Sequence, residues 1–85
     1  MANGVGYENL KMSESAKNLE MARQSMVEEL VAIDNYRERI ELSKDPELIK
    51  ILIHNETEEK EHAAMLFEYV AKHDKVQAEK IKHHD

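Results

Sequence analysis

Glu59 and His62 are the two residues whose types and spacing first suggest metal chemistry. They stand three positions apart, so in an α-helix their side chains project from the same face. A carboxylate oxygen and an imidazole nitrogen are ligands that Fe, Mn and Zn accept. Such a pair arises easily by chance in a chain with 35% charged residues. Support must therefore come from the elements that position it.

The composition predicts a small all-α protein. The chain has 85 residues, only two Gly and one Pro, and is rich in good helix formers. It has no Cys, so a metal site could use only nitrogen and oxygen ligands. Its formal charge of −6 argues against nucleic acid and anionic membranes as partners. The longest apolar run, residues 63–67, is far too short to cross a bilayer.

Two long helices are predicted on either side of a short turn. Asp45 is a favourable N-cap and Pro46 a favourable first helical residue, so a second helix begins there. Upstream, Ser13 or Ser15 can cap a first helix that continues to about Leu42. A turn this short places the two helices antiparallel, as a hairpin.

The chain is accordingly divided into three segments. Residues 1–12 are expected to form a flexible N-terminal arm, and residues 13–73 form the helical hairpin, which is half of a four-helix bundle. Residues 74–85 form a short C-terminal helix or tail, with Asp74 as its cap.

Each long helix carries an apolar stripe that is interrupted by polar residues. The first stripe is spaced by three and four residues, with Glu29 in its gap: Leu19, Ala22, Met26, Ile33, Tyr36 and Ile40. The second has a coiled-coil spacing: Leu48, Leu52, Asn55, Glu59, His62, Leu66 and Tyr69.

Glu29 and Glu59 stand at the same height on the two helices. Glu29 precedes Lys44 in the turn by as many residues as Glu59 follows it. His62 lies less than one helical turn further along. Burying carboxylates without a counter-charge is costly, so an interior acidic cluster needs a cation. The sequence therefore predicts a metal site of Glu29, Glu59 and His62.

These three residues are half of a known kind of centre. Di-iron carboxylate bundles take one Glu from each of two helices and Glu-x-x-His from each of the other two. A homodimer of hairpins would supply both halves and would also cover faces that one hairpin leaves open. Ligation by carboxylates and imidazoles suits Fe, Mn or Zn, and the carboxylate-rich balance favours iron oxidation.

The sequence resembles the encapsulated ferritin family. The similarity lies in residues 28–36, 45–48 and 54–65, and above all in the run E-E-K-E-H-A-A-M. The similarity covers roughly residues 26–75. It implies protomers that pair into homodimers, each dimer holding a di-iron ferroxidase centre with two irons, and dimers that close into a ring. It also implies a cytoplasmic location inside an encapsulin shell, where the ring oxidises Fe(II) and the shell stores the mineral. Ca, Mn or Zn are alternative ions at the same or secondary sites.

The resemblance also assigns roles to individual residues. Glu29, Glu59 and His62 would be the ferroxidase ligands, with Tyr36 near the centre and Glu28 at an entrance site for metal. Secondary metal contacts would lie on the outer surface: His54, Glu58 and Glu61.

Three departures from the family pattern accompany the resemblance. Val31 stands where relatives have a second entrance-site Glu, and Asn35 stands where they have Trp. The short apolar tail that directs such cargo to its shell is also missing, which indicates a truncated chain or one domain of a fusion.

A second class of function fits the same residues. The alternative is a non-enzymatic helical dimerisation module, with a structural Zn or Mn site or adventitious metal at its acidic seam.

Overall fold

The fold is an antiparallel helical hairpin followed by a short helix. The computed structural model describes residues 12–84, which form α1 (Glu14–Leu42), α2 (Pro46–His73) and α3 (Lys75–Lys82). No strand occurs between residues 12 and 84, so the all-α prediction is confirmed. The predicted arm, apart from Met12, lies outside the described residues.

Local capping signals determine where α1 and α2 begin. The Ser13 hydroxyl oxygen accepts a hydrogen bond from the backbone N–H of Ala16 at 3.2 Å. At the start of α2, an Asp45 carboxylate oxygen accepts from the N–H of Glu47 at 3.1 Å, and Pro46 is the first helical residue. Each side chain satisfies a backbone donor that has no partner within the helix, which stabilises the helix end.

Asp74 separates α2 from α3 and ties α3 to α1. One of its carboxylate oxygens accepts a hydrogen bond from the N–H of Gln77 at 3.1 Å. The other accepts one from the Arg23 guanidinium at 2.7 Å. No residue of α3 is fully buried. The cap and this ion pair therefore matter more for α3 than apolar packing does.

The core between α1 and α2 is small. Its buried apolar side chains are Ala22, Ile40, Leu52 and Val70, and Glu56 is also buried. Every residue of the predicted α1 stripe is buried or half-buried. On α2 the contact face differs from the predicted stripe: Leu48 and Tyr69 are exposed, whereas Val70 is buried. The reason is that α1 packs against one side of the predicted α2 stripe and leaves the other side of that stripe open.

The hairpin is one helix layer thick, and much apolar surface is open on it. Its smallest dimension is 17 Å. Two stacked layers of helices would need more than this, because one helix with its side chains is about 10 Å across. Large apolar side chains exposed on α1 and α2 include Val27, Leu30, Met65 and Phe67. None of the helices within residues 12–84 is long and apolar enough to cross a membrane.

Candidate metal centre

The structure brings Glu29, Glu59 and His62 together. Glu29 comes from the middle of α1, and the other two residues come from adjacent turns of α2. His62 Nδ1 lies 3.4 Å from a carboxylate oxygen of Glu29 and 3.7 Å from one of Glu59. One ligand atom from each residue can be chosen so that all three lie within 4.8 Å of one another. These are the residues that the matched stripes predict.

The Glu29 carboxyl group is the most constrained member of this cluster. Its side chain is 25% exposed, but its oxygen Oε2 is buried and has no hydrogen-bond partner among the described residues. An unsatisfied buried oxygen is destabilising unless a ligand or water satisfies it.

The pKa of Glu29 is raised above its ordinary value. The largest cause is the neighbouring Glu59 carboxyl group, and the burial of Glu29 acts in the same direction. His62 lowers the pKa without cancelling these effects. Two carboxyl groups with oxygens within 4.8 Å of each other do not both ionise easily. A cation between them would remove the repulsion.

The donor set and its spacing fit a transition-metal ion. Carboxylate oxygens and imidazole nitrogens bind such ions at about 2.0–2.2 Å. Ligand atoms around one ion therefore stand about 3–4 Å apart, close to the two distances from His62 Nδ1. The orphaned Oε2 of Glu29 is a ready ligand atom. Between residues 12 and 84, this is the one group of at least three potential ligands that converges in this way.

The other predicted site residues lie outside this cluster. Tyr36 is half-buried on the same stripe of α1, two turns beyond Glu29, and the Arg39 guanidinium stands 5.7 Å from the centre of its ring. The remaining four are exposed and do not join the group of converging ligands: Glu28, His54, Glu58 and Glu61.

An ion pair between α1 and α2, of a half-exposed arginine and a buried carboxylate, was not predicted from the sequence. The Arg37 guanidinium donates through Nε to one oxygen of Glu56 at 2.9 Å and through a terminal nitrogen to the other at 2.7 Å. Glu56 is only 4% exposed. Arg37 lowers the pKa of Glu56, and Glu56 in turn raises the pKa of Arg37. The only signal in the sequence is that both residues border the apolar stripes.

Comparison with known proteins identifies the family. The family model described as EncFtn-like matches residues 5–84, nearly the whole chain. The chain belongs to the encapsulated ferritin-like family. The predicted family is thereby confirmed.

Two curated relatives and one solved structure agree with this assignment. The encapsulated ferritin-like protein of Rhodospirillum rubrum is 45% identical over 71 residues, which are 84% of this chain and 51% of that protein. A ferritin-like protein of Thermotoga maritima is 47% identical over 49 residues, 58% of this chain and 43% of that one. The chain thus spans about half the length of the curated relatives it matches.

The fold is also that of a crystal structure, protein ne0167 from Nitrosomonas europaea. The TM-score is 0.84 at 38% sequence identity, and the match covers 96% of this chain and 88% of the other. The fold predicted from the stripes and caps is therefore that of a protein whose structure has been solved.

Proposed function

We propose that this encapsulated ferritin-like chain is the protomer of a ferroxidase that oxidises Fe(II) with dioxygen. The observation that supports this best is the cluster of Glu29, Glu59 and His62, in which an orphaned carboxylate oxygen and a nearby imidazole nitrogen face each other. In this proposal Fe(II) is the substrate. The three side chains bind it. An iron site is what we expect of a member of the encapsulated ferritin-like family.

A second copy of the chain completes the centre. One protomer offers two carboxylates and one imidazole, which is half of the ligand set of a di-iron carboxylate bundle. The His62 side chain is 48% exposed, so the cluster opens towards the surface. A two-fold dimer would bring together four carboxylates and two imidazoles around two irons. Its four helices would also cover apolar side chains that are open in one hairpin.

The three ligands act together in the proposed reaction. Glu59, Glu29 and His62 of the two chains would hold the two irons, with carboxylate oxygens and imidazole nitrogens as ligands. Fe(II) would lower the pKa of Glu29 and so favour its ionised form, which is the form that binds metal. Two Fe(II) would each give one electron to one dioxygen molecule, which takes up two protons from solvent and leaves as hydrogen peroxide, and the anionic ligands would stabilise the higher charge of the two Fe(III) products. Holding two irons at a fixed separation is what allows one dioxygen molecule to take both electrons.

Further residues and partners belong to the proposal. Tyr36 would stand beside the centre, and Glu28 would attract Fe(II) at an entrance. The exposed side chains of His54, Glu58 and Glu61 would form secondary metal contacts, where Ca, Mn or Zn could also bind. Dimers would assemble into a ring, and the ring would be the cargo of an encapsulin shell that stores the oxidised iron.

The decisive assay is oxygen-dependent oxidation of added Fe(II), followed by the absorbance of the Fe(III) product. We expect Glu29→Gln, Glu59→Gln and His62→Ala each to slow oxidation by more than about tenfold, because even outer-shell changes at metal sites cost that much. Glu41→Gln is the matched control: it removes a carboxylate of α1 that is exposed and outside the cluster.

The assay also separates the ferroxidase from the non-enzymatic alternative. A dimerisation module with a structural Zn or Mn site would bind metal without accelerating oxidation. Equal oxidation rates in the wild type, the three ligand variants and the Glu41→Gln control would contradict the proposed function.

A further inference from the structure

The ion pair of Arg37 and Glu56 lies on the same two helices as the metal cluster. Glu56 precedes Glu59 on α2 by three residues, and Arg37 follows Glu29 on α1 by eight. The pair is therefore displaced towards the turn by about 4.5 Å along α2 and about 12 Å along α1. It joins α1 to α2 by two hydrogen bonds, of 2.9 and 2.7 Å.

We propose that Arg37 and Glu56 are positioning residues, which hold α1 against α2 so that Glu29 faces Glu59 and His62. This inference rests on the proposed metal site. Neither residue is a ligand in it. Their role is to fix the distance and register between the two helices that carry the ligands.

The need for such a device follows from the cluster itself. Glu29 on α1 and Glu59 on α2 bring carboxylate oxygens within 4.8 Å of each other, and two ionised carboxylates at that separation repel each other when no cation lies between them. That repulsion acts to separate α1 from α2 at the level where the ligands must converge. Productive metal sites need their ligands held to within about 0.5 Å. An attraction between the same two helices, close to the cluster, opposes this separation.

The apolar contacts between α1 and α2 cannot supply this accuracy alone. The core between them has few buried side chains, and dispersion contacts are not directional. A bidentate pair of an arginine and a carboxylate is directional, because both hydrogen bonds weaken when either helix slides or rotates. Since Glu56 is buried, breaking the pair would leave its charge with only the longer contact to Lys60 at 3.9 Å, which is unfavourable.

Neighbouring charges reach the pair without joining the two helices. Lys60 lies 3.9 Å from Glu56 and is on the same helix. Glu41 accepts a hydrogen bond from Arg37 at 3.2 Å, also within one helix, and is exposed. Removal of Glu41 therefore tests a contact of Arg37 that cannot set the spacing of α1 and α2.

The test uses Co(II) as a spectroscopic probe of the metal site in the full chain. It measures the affinity for Co(II) and the visible absorption bands of the bound ion. We expect Arg37→Glu and Glu56→Arg each to weaken Co(II) binding by about 10–100-fold, the range for residues that orient metal ligands, and to alter the absorption bands. The double variant Arg37→Glu/Glu56→Arg restores an opposite-charge pair and should recover both. Glu41→Gln should bind as the wild type does. Far-UV circular dichroism identifies variants that remain helical.

The outcomes distinguish this inference from the function on which it rests. If the wild type binds Co(II) no better than Glu29→Gln, the metal site fails and the positioning role fails with it. If the wild type binds tightly and helical single variants bind equally well with unchanged bands, only the positioning role is overturned. A helical double variant that stays as weak as the single variants also overturns it. Recovery in the double variant supports it even where a single variant unfolds.

Discussion

Glu29 differs in its surroundings from the many acidic residues of the surface. Its oxygen Oε2 is buried and has no hydrogen-bond partner within residues 12–84, and its pKa is raised by the neighbouring Glu59. In contrast, the pKa of Glu56 is lowered, first by its hydrogen bonds with Arg37. One carboxylate is thus satisfied within the protein, and the other is prepared for a cation.

The raised pKa of Glu29 makes a prediction about stability and pH. A carboxyl group whose pKa is higher in the folded protein binds protons better there, so it destabilises the fold once pH rises above its ordinary pKa. We expect metal-free Glu29→Gln to be more stable than the wild type at neutral pH. This advantage should disappear as the pH falls below the ordinary pKa of Glu.

Thermal unfolding in a chelator, at matched protein concentration and several pH values, checks this prediction. Addition of Co(II) should reverse the order, because metal stabilises only a protein that binds it. A wild type that remains more stable than the variant at neutral pH without metal would contradict the account of Glu29.

At the scale of the helix, local signals accounted for most of what the sequence could predict. Ser13, Asp45 with Pro46, and Asp74 are caps, and capping depends on residues within a few positions of each other. The convergence of Glu29 and Glu59 was also predictable, because a short turn fixes the relative height of two antiparallel helices. These predictions needed no knowledge of the tertiary structure.

The ion pair of Arg37 and Glu56 was beyond such reasoning for a physical reason. Both side chains are long and flexible, and in a chain with 35% charged residues each has many possible partners. Which pair forms depends on the rotation of α2 about its axis. The same rotation decides that Val70 is buried while Tyr69 is exposed, and the regular stripe on α2 did not reveal it.

Packing of α2 against α1 should be most sensitive at Leu52. This side chain is 8% exposed, and replacing a buried Leu by Ala typically costs about 2–5 kcal/mol. We expect Leu52→Ala to lower the free energy of unfolding by about 2 kcal/mol or more. The matched control is Leu42→Ala, because Leu42 is 75% exposed. Denaturant titration should show a clear difference, and equal effects would contradict the assigned core.

Helix α3 should depend on Asp74 alone among the capping residues. Loss of a cap typically costs about 1 kcal/mol, and α3 has no buried side chain to compensate. Asp74→Ala should therefore speed hydrogen exchange at the amides of α3 while exchange in α2 stays unchanged. Asp74→Asn keeps a capping side chain but loses the charge that faces Arg23, so it should have a smaller effect. Equal exchange in all three proteins would contradict this role.

Residues 12–84 form a hairpin with a short third helix, and it has a small core and many exposed apolar side chains. Side chains such as Leu30, Met65 and Phe67 are exposed on its helices, and the metal cluster itself has only half of a di-iron ligand set. One event, the pairing of two chains, would satisfy both needs. The same event would link metal binding to assembly.

Metal addition should therefore raise the apparent mass of the protein. We expect sedimentation velocity to show a shift towards dimers or larger assemblies when Fe(II) is added without oxygen. His62→Ala should show a weaker shift, because its half-site lacks the imidazole, whereas Glu41→Gln should behave as the wild type. Identical distributions with and without metal, at concentrations where monomers are present, would argue against ligands shared across an interface.

Anomalous X-ray scattering is the most direct test of whether Glu29, Glu59 and His62 bind iron between two copies of the chain. Crystals grown with Fe(II) should be measured on both sides of the iron absorption edge. We expect two anomalous peaks that appear only above the edge and lie between two copies of the chain. Each peak should mark an iron bound by Glu29, Glu59 and His62. Anomalous density absent from these residues, or unchanged across the iron edge, would contradict this expectation.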